Sequence, residues 1–97
     1  MKKVQDTIIT AMTRIYPNEF PILLAQIQKQ NEIDPSYNLG KITETDYKLY
    51  NLMFDAMENN LLSDYETEVI KLFISDNYNV IKKDEQLEKR CEKLKIK

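Results

Sequence analysis

The sequence predicts an all-α protein: a small antiparallel four-helix bundle with a C-terminal fifth or tail helix. Three observations lead there. Apolar side chains recur at helical spacing along most of the chain. Prolines at 17 and 21 interrupt that spacing early, because proline lacks an amide hydrogen and crowds the preceding turn. A capping box, Ser63 with Glu66, opens a new helix only a few residues after Asn59-Asn60.

The first helix is written by Val4, Ile8, Ala11, Met12 and Ile15, with Gln5, Asp6, Thr13 and Arg14 opposite. Pro17 stops it. Pro21 suits the first turn of the second helix, whose inner face is Phe20, Leu23, Leu24 and Ile27 and which runs out near Asn31. Residues 33–42 form the longest loop, with turn chemistry at Asp34-Pro35 and Asn38-Leu39-Gly40. Thr43 and Asp46 make a weak capping signal for a third helix ending about Asn59. There Leu49, Met53, Ala56 and Met57 form one apolar row, with Tyr50, Phe54 and Leu61 beside it. An arc this wide marks the most buried helix. The polar stripe is Lys48, Asn51, Asp55 and Glu58.

The fourth helix starts at the capping box, with Leu62 placed as a hydrophobic staple. Tyr65, Val69, Leu72 and Phe73 are expected inward, and Ile70 and Ile74 at the edges. Val80 and Ile81 anchor the base of the C-terminal helix. From Lys82 onward seven basic and four acidic residues leave a thin seam of Leu87, Cys91 and Leu94 at i, i+4 and i+7. The organisation is thus a bundle over 1–81 and a charged helix or tail over 82–97, within one domain.

Composition narrows the function. The 97 residues carry a net charge of -2, too neutral for a general nucleic-acid binder. No apolar run spans a membrane. In MKKVQDTIIT, Gln5 and Asp6 interrupt any signal-peptide core, so the expected location is cytoplasmic. The excess of Lys, Asn, Ile and Tyr suits an AT-rich genome, such as that of a low-GC bacterium or its phages. With no histidine, the usual general base at neutral pH is missing. One cysteine excludes an internal disulfide and a multi-cysteine zinc site. Asp34, Asn38 and Gly40 lack the alternating oxygens of a calcium loop. Asp64 with Glu68 reads as a solvated acidic face rather than a catalytic pair. Lys89, Arg90 and Lys93 near Cys91 would favour its thiolate, although a small apolar residue on a helix face is the plainer reading. The expectation is therefore a protein that is not an enzyme and takes no cofactor and no metal.

Helix-turn-helix binding to DNA fails on charge. Residues 44–76 hold eight acidic side chains against Lys48 and Lys71, and a recognition helix opening Ser63-Asp64-Tyr65-Glu66 would repel phosphates. Six tyrosines are many for this length. At a bundle's edge tyrosine usually packs its ring and leaves its hydroxyl in water, which is the favoured reading. The alternative is a partner surface, because tyrosine is enriched among binding hot spots.

The run from Gln28 to Phe73, QKQNEIDPSYNLGKITETDYKLYNLMFDAMENNLLSDYETEVIKLF, resembles the second half of the enterocin A type (class IIa) bacteriocin immunity proteins. The likeness lies in the lysine/glutamine-rich helix end, Asp34-Pro35, the aromatic-rich third helix, the turn at Asn59-Asn60 and the Asp-Tyr-x-x-Glu start of helix four. This chain differs from that family in being mildly acidic and in the Leu39-Gly40-Lys41 loop. The resemblance implies a cytosolic four-helix bundle with a C-terminal extension that protects a producer cell from its own pore-forming peptide, acting at the mannose phosphotransferase permease. It places partner specificity in helix four and the tail, where the candidate contacts are Tyr65, Glu68, Lys71, Tyr78, Leu87, Arg90 and Leu94. The expected partner is a membrane permease complex, met by a monomer or weak dimer. The alternative is a phage or mobile-element inhibitor whose acidic hairpin blocks a host nucleic-acid enzyme.

Overall fold

A computed structural model describes residues 2–33 and 44–96, with side chains for 4–29 and 44–96. The described residues form six helices and no strand. The radius of gyration is 12.9 Å, close to the roughly 12.5 Å expected for a folded domain of this length. No described helix is long and apolar enough to cross a membrane.

Helix α1, Lys2–Ile15, buries Ile8, Ala11 and Met12 of the expected row and half-buries Val4 and Ile15. Helix α2, Glu19–Ile33, buries Phe20 and Leu23 and half-buries Leu24 and Ile27. Pro21 sits in its first turn, where an amide hydrogen has no helical acceptor to lose. Ile22 is 63% exposed. The loop at Asp34-Pro35, the turn through Gly40 and the cap at Thr43 lie outside the described residues.

Helix α3, Glu44–Glu58, buries Tyr50, Met53, Phe54, Ala56 and Met57. Burial pushes the Tyr50 hydroxyl up to about 12, with Asp46 adding to the rise. Helix α3 ends in a Schellman motif. The Leu61 N–H donates to the Ala56 carbonyl at 3.0 Å and the Asn60 N–H to the Met57 carbonyl at 3.2 Å, with Asn60 left-handed at φ 57°. That turn carries Leu61 off the buried row of α3, and its side chain is 47% exposed rather than inward.

Helix α4, Asp64–Asp76, begins at the expected capping box. The Glu66 N–H donates to Ser63 Oγ at 3.2 Å, and the Ser63 N–H donates to Glu66 Oε1 at 3.0 Å. Its inward face differs from expectation. Ile70 and Ile74 are fully buried, whereas Tyr65 and Leu72 are 58% and 51% exposed; Val69 and Phe73 are half-buried. The cause is tertiary. Helix α4 packs most extensively on α1 and also on α3, so the stripe between those two neighbours becomes the core. Phe73 leans towards Tyr50 of α3, ring centroids 6.2 Å apart.

Asn77 ends α4 with its side-chain amide donating to the Phe73 carbonyl at 2.8 Å. One helical turn, α5 (Tyr78–Ile81), then buries Ile81. Helix α6, Glu85–Lys93, is capped by Asp84, whose Oδ1 accepts the N–H groups of Gln86 and Leu87. This helix is docked: Leu87, Cys91 and Ile96 belong to the same apolar cluster as Met53, Phe54 and Ile74. A second Schellman turn brings Ile96 inward. The Ile96 N–H donates to the Cys91 carbonyl, and Lys95 adopts φ 59°. The seam of the C-terminal helix is thus closed by Ile96, with Leu94 only half-buried.

Candidate partner-binding surface

Packing sorts the seven candidate contacts into three groups. Tyr65 and Glu68 are exposed on the outer face of α4, and Lys71 is half-buried at its side. Leu87 is fully buried, which corrects its reading as a contact: it is a core side chain. Tyr78, Arg90 and Leu94 are half-buried. The Tyr78 hydroxyl donates to Glu88 Oε2 at 3.0 Å, tying α5 to α6.

Arg90 is a clamp rather than a free cation. Its Nη2 donates to Asp55 Oδ1 at 2.6 Å, its Nη1 to Asn51 Oδ1 at 2.7 Å and its Nε to Glu58 Oε2 at 3.2 Å. The guanidinium lies 5.1 Å from the Phe54 ring centroid. Asn51, Asp55 and Glu58 are three of the four residues of the polar stripe read from the sequence, so that part of the stripe is the seat of α6, while Lys48 pairs with Glu44. Tyr47 adds a hydroxyl bond to Gln86 Oε1 at 2.8 Å. Arg90 and Tyr78 therefore hold this fold together.

Cys91 shows the same effect of packing. Burial pushes its thiol up, and Glu88 and Glu92 push it further. The neighbouring cations in sequence do not set its chemistry, since residues adjacent in a helix point apart and the sulfur is fully buried. Asp64 and Glu68 are both exposed, as a solvated face requires.

Among what remains accessible in the described residues is a surface the sequence only half revealed. Leu72 follows Tyr65 by seven residues, two turns along one helical row, with Glu68 between them. Periodicity carries no signal for this outer position, since it assigns Tyr65 and Leu72 together inward. Asp64, Glu68 and Asp76 are exposed and form no ion pair among the described residues. Glu66 differs. Arg14 grips it with two bonds of 2.7 Å, and this contact, with the Ser63 N–H, holds its carboxyl down at about 2. Tyr65 also walls a shallow groove of about 290 Å³ with Asp6, Thr10 and Ser63.

A second concavity of about 250 Å³ opens between α1, α2, α3 and α4. Ile9, Phe20, Ile27, Met53 and Phe73 line it, and the described residues around it carry no ionisable group. Among the described residues no three acidic, cysteine or histidine side chains are grouped to hold a metal ion. Comparison with protein-family models, curated proteins and solved structures finds no match.

Proposed function

We propose that this chain is a non-enzymatic helical-bundle interaction protein of the bacteriocin-immunity kind, acting from the cytoplasm on a membrane permease complex. The architecture proposed with it is an antiparallel four-helix bundle with a docked C-terminal helix. The contacts α1 to α2, α2 to α3, α3 to α4 and α4 back to α1 support this, because an up-down-up-down bundle makes those four pairs.

One observation carries the functional reading. Tyr65 and Leu72 stand together on the outer face of α4, while the rest of that helix spends its apolar side chains on the core. Large apolar side chains grouped on an outer face are the usual anchors of a protein contact. The resemblance over 28–73 directs the contact to helix four and the tail, and of these two it is helix four that keeps large apolar side chains exposed among the described residues. The alternative, a competitor for a basic nucleic-acid groove, requires charge alone, and this face is centred on Leu72. Salt separates the two: a charge-only competitor weakens steeply as ionic strength rises, and an apolar-centred contact does not.

The test is protection of a bacteriocin-sensitive strain expressing the chain. The full chain protects, and the double variant Tyr65→Ala/Leu72→Ala loses protection while keeping its melting temperature. No protection against any related peptide, or full protection by the double variant, refutes the reading. Cutting after Asn79 is a poor substitute, since it removes Ile81, Leu87, Cys91 and Ile96 from the core.

A further inference from the structure

We infer that the outer face of α4 receives a basic amphipathic helix of a protein partner, of the sort membrane proteins present at their cytoplasmic ends. This rests on the reading of that face as the binding surface and adds the chemistry of what it binds.

Tyr65 and Leu72 give the face two apolar contacts two turns apart, which is the span of an i, i+7 pair on a facing helix. Around them stand Asp64, Glu68 and Asp76, exposed and without an ion-pair partner among the described residues. Helix α4 has one cation, Lys71, and its remaining carboxylate, Glu66, is already neutralised by Arg14. A complementary surface therefore has apolar side chains to meet Tyr65 and Leu72 and lysines or arginines to meet the carboxylates beside and between them.

Other occupants fit less well. A second copy meeting this face by two-fold symmetry opposes carboxylates to carboxylates. A copy offering its basic C-terminal region brings exposed Lys82, Lys89 and Lys93, but its Leu87, Cys91 and Ile96 are committed to the core, leaving nothing to cover Tyr65 and Leu72. An anionic lipid surface is repelled. Membrane proteins, by contrast, carry an excess of Lys and Arg in their cytoplasmic loops and at the inner ends of their helices.

The test titrates the isotopically labelled full chain with three synthetic helical peptides of equal length. One has leucines at i, i+3, i+4 and i+7 and lysines elsewhere; one replaces the lysines by glutamates; one scrambles the first so that no apolar face remains. The first is expected to bind with amide shifts at Tyr65, Glu68, Leu72 and Asp76. Tyr65→Ala/Leu72→Ala and, separately, Glu68→Lys/Asp76→Lys should each raise its Kd at least about tenfold. The inference is overturned if the glutamate or scrambled peptide binds equally, if the shifts map elsewhere, or if the same shifts arise on concentrating the chain alone. Protection assays separate this from the broader reading. If Tyr65→Ala/Leu72→Ala abolishes protection and Glu68→Lys/Asp76→Lys preserves it, the inference falls and the surface stands. If no variant or parent protects yet the lysine peptide binds as described, the immunity reading falls and the inference stands.

Discussion

Replacing Arg90 by alanine tests the idea that one side chain holds the C-terminal helix in place. The guanidinium makes two charge-assisted bonds, to Asp55 and Glu58, and one to the Asn51 side-chain oxygen, while lying over Phe54. Its side chain is 22% exposed, but those of Asp55 and Glu58 are 49% and 28% exposed, so both carboxylates regain water when the arginine goes. Screened pairs of this kind contribute about 0.2–1 kcal/mol each. The cation over the ring adds about 0.5–1 kcal/mol, and the stem packs apolar surface. The expected loss is about 2 kcal/mol, below the ~3–5 kcal/mol of breaking a fully buried pair. Urea unfolding followed by helical circular dichroism measures it without adding salt. Cys91 provides a local reporter, because its sulfur is inaccessible until α6 lifts. About 2 kcal/mol corresponds to a roughly thirtyfold rise in the open population, and so in the rate of thiol labelling. Unchanged stability together with unchanged labelling refutes the clamp.

Three further outcomes rest on particular contacts. Arg14, then the Ser63 N–H, depress Glu66 to about 2 from an ordinary value near 4.5, so its stabilisation is present above about pH 4.5 and is lost as pH falls towards 2; Glu66→Gln should flatten that part of a melting-temperature profile between pH 5 and 2. Lys95→Gly should stabilise the chain by up to ~1 kcal/mol in urea unfolding, since φ 59° costs a side chain with a Cβ more than it costs glycine. Ile74→Ala should cost about 2–5 kcal/mol and Leu72→Ala within ~0.5 kcal/mol, and comparable losses at both sites would refute the face assigned to α4.

Local chemistry made much of this protein legible in the chain. Proline at 17, the Ser63–Glu66 box and the periodic rows of α1 and α3 act within a few residues of themselves, so their consequences can be read before any neighbour is known. The polar stripe of Lys48, Asn51, Asp55 and Glu58 was equally plain, but the use of its last three residues as the seat of Arg90, 32 to 39 residues away, was not. The same limit explains α4. Its apolar residues occupy too wide an arc for periodicity to choose a centre, and Leu72 and Ile74 are equally apolar as text. Only the arrival of α1 and α3 on one side buried Ile70 and Ile74 and left Tyr65 and Leu72 in water. Pairings between distant segments are decided by where whole helices come to rest, and the outer face of α4 proposed for a partner is part of what that packing did not consume.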